Sequence, residues 1–449
     1  MTWRSAALLA VGTALLVTVS LGPMAVQLGN MSVLVWAGTA VIGALQCVLI
    51  TRLAHCYHDR AGGTATYAHL ALGRVSPLLG GLSSWAYWFA WTPGIAVNLV
   101  LAAGYLGDAF QLERFEVPLA FGFIAAIYVA NYFSLSVTTR VYAVVGVVAT
   151  LPLLVIVVGA LLQPELLSAD GLVPLSVPGG EAFSGATLLL IVKWAFVAAW
   201  SSYGAEIAST IVAEMRDAAS RTGRAMATAA ITGVVAFTGV PILLLALGGT
   251  ESLTADPAVV LLQPARSLFG EPGARVVAVM LVAALLLGAQ AFVVGSSRTI
   301  YQMSRDGYLP PVFGKVNRYG VPIGSMTWDF LVISGLLLVF RGDVVDVVAS
   351  ANVGYVLVFV LLPVSFLILS RRDRRLLRGS RSAWPMTALA GGLTVVNVIL
   401  LLLGAPQWGF RVIATAVVAL ALIVPLIYFT RWRDRRPTGS GRTRQLLDR

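Results

Sequence analysis

Charge is scarce in this chain. Charged residues occupy 11% of its 449 positions, against roughly 25% in ordinary soluble domains. That is too little polar surface for a water-soluble globule of this size. Cysteine is nearly absent. Cys47 and Cys56 are the only two, and they lie in or beside one apolar stretch, so a disulfide framework is not expected. No His-Glu-x-x-His, no Gly-x-x-x-x-Gly-Lys phosphate loop and no Gly-x-Ser-x-Gly elbow occurs. Metalloprotease, nucleotidase and hydrolase chemistry are therefore unsupported. His55, Cys56, His58 and Asp59 form the only cluster of metal-ligand types. One helix would not bring all four onto a single face, so they read as a solvated loop. No metal, no cofactor and no enzymatic activity are expected.

What is abundant is apolar sequence. Hydrophobic residues make up 58% of the chain, and mean hydropathy is +0.86. A bilayer core of about 30 Å takes about 20 apolar residues of helix. Twelve such stretches are legible, at about 5–29, 32–54, 78–108, 117–135, 140–163, 185–213, 223–248, 273–303, 324–341, 344–370, 384–404 and 409–431. The first follows Arg4 without a small-residue cleavage site and reads as a span, not a removed signal. Between the second and third, the segment Gly62 to Gly73 is too short to cross and reads as an interfacial helix. The expectation is an all-α polytopic membrane protein.

The formal net charge of +11 does not point to nucleic acid, because the basic residues alternate by loop. Arg52, Arg60, Arg74, Arg140, Arg216, Arg221, Arg224, Arg305, Lys315, Arg318 and the run from Arg371 to Arg375 share one side. Asp108, Glu113, Glu116, Glu165, Asp170, Glu181, Glu251, Asp256 and Glu271 share the other. By the positive-inside rule the basic side is cytoplasmic, with both termini inside. The tail, 432–449, is basic and reads as disordered; it would meet anionic lipid if it met anything. Abundant arginine with only Lys193 and Lys315 as lysines, together with much Ala, Gly and Val, points to a bacterial plasma membrane.

Glu206 stands inside the sixth apolar stretch, after Trp200-Ser201-Ser202-Tyr203-Gly204-Ala205. Insertion scales penalise an acid at mid-bilayer by roughly 2.5–3.5 kcal/mol, which marks it as functional by default. Gly204 and the serines weaken the helix locally, as Gly22-Pro23 does in the first stretch. Paired interruptions in corresponding spans point to a midplane transport site. Trp200 and Tyr203 are three residues apart and offer aromatic faces to an ammonium or guanidinium group. Lys193, seven residues before Trp200, is expected to snorkel to the outer interface.

Several segments together resemble the amino acid–polyamine–organocation superfamily of permeases, and within it the basic amino acid and amine antiporters of the arginine–agmatine type. They are Ala61-Gly62-Gly63 through Leu72-Gly73, Tyr87-Trp88 through Gly104-Tyr105-Leu106, Thr139 to Val144, Trp200-Ser201-x-x-Gly204-x-Glu206, the acidic-then-basic loop from Glu214 to Arg224, and Arg305 to Phe313. The similarity covers residues from about 10 to 370. It implies a LeuT-type fold of five plus five inverted helices, with a core over 1–370 (halves about 5–163 and 185–370) and two extra spans over 371–431. It also implies that Trp200 caps a central site, that Phe292 stacks on the distal part of the substrate, and that Glu206 is the proton-linked acid; Gln290, two residues before Phe292, reads as facing the same cavity.

One departure stands out. Where the family has Gly-Ser-Gly in the first span, this chain has Leu16-Val17-Thr18. Thr18 and Ser20 could supply hydroxyls instead, or the substrate lacks an α-carboxylate. The reading is a secondary active transporter of an amino acid or related amine, working by alternating access as antiporter or proton-coupled permease. Ser201, Tyr203 and the backbone near Gly204 would orient the substrate's polar head. The alternative is a non-transporting membrane sensor that keeps the fold. Substrate identity, coupling ion and oligomeric state stay open.

Overall fold

The computed structural model describes residues 3–4, 7, 12–58, 63–133, 139–181, 183–215, 218–254, 259–340, 343–377 and 384–434. Asp59, Arg60, Ala61, Gly62, Arg216, Asp256 and the tail beyond Asp434 lie outside them. The fold is helical throughout. Its α-helices are α1 (Leu21–Leu28), α2 (Ser32–Cys56), α3 (Gly63–Leu72), α4 (Pro77–Phe110), α5 (Glu116–Phe133), α6 (Thr139–Leu162) and α7 (Gly185–Ser202). They continue as α8 (Ala218–Thr254), α9 (Leu262–Arg305), α10 (Ile323–Phe340), α11 (Val344–Arg372), α12 (Trp384–Ile399), α13 (Phe410–Ala421) and α14 (Ile423–Asp434). Two long 3-10 segments, Gly12–Val19 and Tyr203–Glu214, precede α1 and follow α7.

Among the described residues, ten helical stretches are long and apolar enough to cross a bilayer. The run from Gly12 to Leu28 and helix α6 stand where the first and fifth spans are expected. In lipid every backbone group must be satisfied within the segment, which is why such sequences commit to helix. Pro93, Pro152, Pro241 and Pro363 sit inside α4, α6, α8 and α11. Neighbouring helices make such breaks tolerable.

Helix α4 is the axis of the molecule. In its most apolar window 83% of residues are buried, against 22% for the stretch Glu113–Phe133. It packs against α9 and α11 along much of its length. Small residues allow the close approaches. A Cβ added at Gly94 would stand 3.0 Å from Trp200 and 3.1 Å from Phe292. One added at Gly43 of α2 would meet the Ser202 carbonyl at 2.7 Å.

Two local expectations are corrected. The first-span break falls at Ser20 (φ −131°, ψ 1°), while Gly22-Pro23 lies inside the first turn of α1. Proline is tolerated there because the early N–H groups have no intrahelical partner. The sixth passage does not unwind at Ser201 to Gly204; it tightens from α to 3-10 helix at Tyr203. The segment after the second span is helical, as α3, and buries Thr64, Ala65, Tyr67, Ala68 and Ala71 against its neighbours.

Candidate functional site

The 3-10 turn after α7 delivers Glu206 to the centre of the bundle, where it is fully buried. Three hydroxyls from three other helices converge on its carboxyl. Thr64 of α3 donates to Oε2. Tyr87 of α4 donates to Oε1 at 2.8 Å, and Tyr355 of α11 reaches the same oxygen at 3.4 Å. A buried acid needs such donors if it is to carry charge at all. The three donors are neutral.

Aromatic rings cover this acid. Trp91, one turn beyond Tyr87, lies 5.9 Å from Trp200, 5.3 Å from Phe292 and 5.3 Å from Tyr355, centroid to centroid. Tyr203 continues the layer against Tyr355 and Phe359. Trp200 is held by its indole N–H, which donates to the Ala90 carbonyl at 2.8 Å. The Tyr203 hydroxyl is buried without a hydrogen-bond partner, and the Trp91 N–H, which lies close to the Glu206 carboxyl, makes no hydrogen bond of normal geometry. Such unspent donors are costly in a closed core, and they are what an entering polar ligand would meet.

The first and sixth passages touch at the break. Ser201 Oγ donates to the Leu16 carbonyl at 3.1 Å, across the positions where the glycine motif is missing. Thr18 and Ser20 are buried nearby in sequence, and the Ser20 hydroxyl has no partner. Gly204 is buried within the 3-10 turn. The structure thus brings Trp200, Phe292, Tyr203 and Glu206 into one layered cluster through Trp91 and Tyr355. It sets Ser201 against the first passage.

Gln290 does not join them. It forms a reciprocal amide pair with Asn131 of α5, 2.8 Å in both directions, and so fastens α9 to α5. Lys193 is half-buried. Its ammonium donates to Gln27 at 3.2 Å and lies 4.6 Å above the Trp408 ring. Among the described residues no group of His, Cys, Asp and Glu is arranged to hold a metal. A cleft of about 330 Å³ between α5 and α10, lined by Tyr128, Tyr132, Met326 and Phe330 among others, shares no residue with the Glu206 cluster.

A family model described as "Amino acid permease" matches residues 1–429. The chain belongs to the amino acid permease family. It is a multi-pass membrane transporter of amino acids and not an enzyme. Among relatives, this permease is 25% identical over 366 residues to the uncharacterized amino acid permease YvbW of Bacillus subtilis, covering 78% of this chain and 79% of the other. It is 26% identical to the lysine-specific permease LysP of Escherichia coli, over 66% of this chain and 62% of the other. It is 24% identical to the arginine/ornithine antiporter ArcD1 of Lactococcus lactis, over 86% and 80%.

Sequence reasoning on this permease missed Trp91, Thr64, Tyr87 and Tyr355. Tyr87 stands 119 residues from Glu206 in sequence and Tyr355 stands 149, so no local spacing could pair them. The density of aromatics from Trp85 to Trp91 is the one signal in the sequence that could have drawn attention to α4.

Proposed function

We propose that this permease carries a cationic amino acid or its decarboxylated amine by alternating access, with proton exchange at Glu206 linked to the step. One observation supports this most. A fully buried acid receives hydroxyls from α3, α4 and α11 directly beneath a layer of aromatic rings. Aromatic faces attract ammonium and guanidinium groups by ~0.5–2 kcal/mol, more when desolvated. An anion below them favours the same charge. The relatives LysP and ArcD1, named for lysine and for arginine/ornithine, agree with a basic substrate.

In this reading Trp91, Trp200 and Phe292 enclose the substrate's body. The Tyr87 and Tyr355 bonds to Glu206 hold the pathway shut on the basic, cytoplasmic side. Protonation of Glu206 replaces charge-assisted bonds by weaker neutral ones, which loosens that closure. Residues of about 5–163 and 185–370 would act as the two inverted halves that move against each other. A bacterial plasma membrane with both termini inside fits the loop charges.

Uptake of radiolabelled lysine, arginine, ornithine and agmatine into proteoliposomes tests this, with and without the same compound inside. Saturable uptake of a basic compound, driven by a proton gradient or by internal counter-substrate, is expected. Uptake confined to neutral or acidic amino acids would remove the cationic assignment. Substrate binding without flux under any gradient would instead favour the sensor.

A further inference from the structure

The bundle holds a second fully buried acid, Asp329 of α10. Its side chain ties three helices. The Trp88 indole N–H of α4 donates to Oδ1 at 2.7 Å, and the Ser296 hydroxyl of α9 donates to Oδ2 at 2.6 Å. Those are its only hydrogen-bond partners among the described residues, and no cation pairs with it. An acid placed in a membrane-spanning helix is costly, and two neutral donors do not offset a full charge there. A purely structural tie between the same helices could be made by an amide at far lower cost.

Its relation to Glu206 is specific. Tyr87 and Trp88 are consecutive residues of α4, about 100° apart around the helix axis. One holds Glu206 and the other holds Asp329. The central helix therefore carries one buried carboxyl on each of two faces. Asp329 lies six residues into α10, about 9 Å from its first residue, on the side of the basic loop with Lys315 and Arg318.

From α5, Tyr128 is the ionisable group that faces this acid, close enough to sense its charge. The Tyr128 hydroxyl is buried without a hydrogen-bond partner, yet its ring lines the cleft of about 330 Å³ between α5 and α10. Around the acid α4 presents Trp85 and Trp88, Trp328 of α10 packs on both, and the 311–314 turn presents Phe313 against Trp328. Among the described residues, no charged side chain of α4, α5, α9, α11 or that turn bears on Asp329.

We propose that Asp329 is a second proton-exchange site of this permease, which gains or loses one proton as α4, α9 and α10 move apart and close again. The proton passes between a carboxylate oxygen and water entering beside Tyr128; no other bond forms or breaks. The proposal rests on the proton-linked transport argued above, but its first test does not.

Infrared difference spectra of the purified protein across a pH titration, in water and deuterium oxide, read protonated carboxyls directly and need no substrate. The parent should show two buried carboxyl bands, one lost in Glu206→Gln and the other in Asp329→Asn. Absence of any band removed by Asp329→Asn overturns the assignment. If that variant does not fold, Ser296→Ala is read instead: a displaced band supports the site, an unmoved one refutes it. In proteoliposomes, Asp329→Asn should remove one step from the pH profile of uptake, and in the Glu206→Gln background it should remove the step that remains. Loss of rate at every pH with an unchanged profile would make Asp329 a structural tie only. The infrared titration can succeed where basic amino acid uptake is never found, and fail where it is.

Discussion

Replacing Tyr87 by Phe removes one hydroxyl and little else. In the structure that hydroxyl donates to Glu206 at 2.8 Å, and the other α4 contacts around it are rings. What is lost is a hydrogen bond between the central helix and the sixth passage. A bond to a charged group contributes about 1.5–3 kcal/mol. Tyr355, at 3.4 Å, is too distant to take over fully. Since 1.4 kcal/mol is a factor of ten, the equilibrium between closed and open forms should move roughly tenfold to a hundredfold toward open. Cys47 reports this without any added residue. It is buried on α2, and the charge of Glu206 bears on it. In a Cys56→Ala background, its rate of alkylation by a small thiol reagent should rise in Tyr87→Phe by about the same factor. Tyr203→Phe is the control: that hydroxyl has no partner, so its loss should leave the rate near the parent's. Equal rates in parent and Tyr87→Phe, at equal thermal stability, would refute the closure argument.

Glu206→Gln keeps an acceptor for the surrounding hydroxyls, which can rotate to suit an amide; its pH profile of transport should lose the step that belongs to Glu206 while the protein stays folded, and an unaltered profile would end its proton role. Gly94→Ala sets a Cβ within 3.0 Å of Trp200 and 3.1 Å of Phe292, so substrate affinity, read by isothermal titration, should fall several-fold. Trp200→Phe keeps a ring but loses the N–H bond to the Ala90 carbonyl. It should cost about 1 kcal/mol of stability by thermal shift and weaken binding further; parent-like affinity would put Trp200 outside the pathway.

The spans were legible because lipid imposes one local rule, long apolar helix, that every window obeys or breaks by itself. Glu206 was legible for the same reason: an acid in such a window has no bland explanation. Asp329 obeys the identical rule and was passed over, because it sits close to the start of its span behind Lys315 and Arg318, where a charge looks interfacial. The placing of Gln290 failed differently. Its position suggested a cavity, but an amide in a bundle takes the nearest amide, and Asn131 was 159 residues away in sequence. The break at Ser20 was displaced to Gly22-Pro23 in the reading, since proline signals interruption in a sequence yet fits a first helical turn. The donors around Glu206 belong to tertiary packing, which no periodicity encodes.

The Ser201 contact to Leu16 carries an implication for selectivity. The Ser201 hydroxyl is already spent on a main-chain carbonyl of the first passage, at the place where the glycines are missing. A zwitterionic guest that recruits this hydroxyl for its acidic end must first break that bond, whereas a guest without an acidic end loses nothing. Such a vestibule should rank a diamine close to its parent amino acid and grade its visitors by the far, positively charged end.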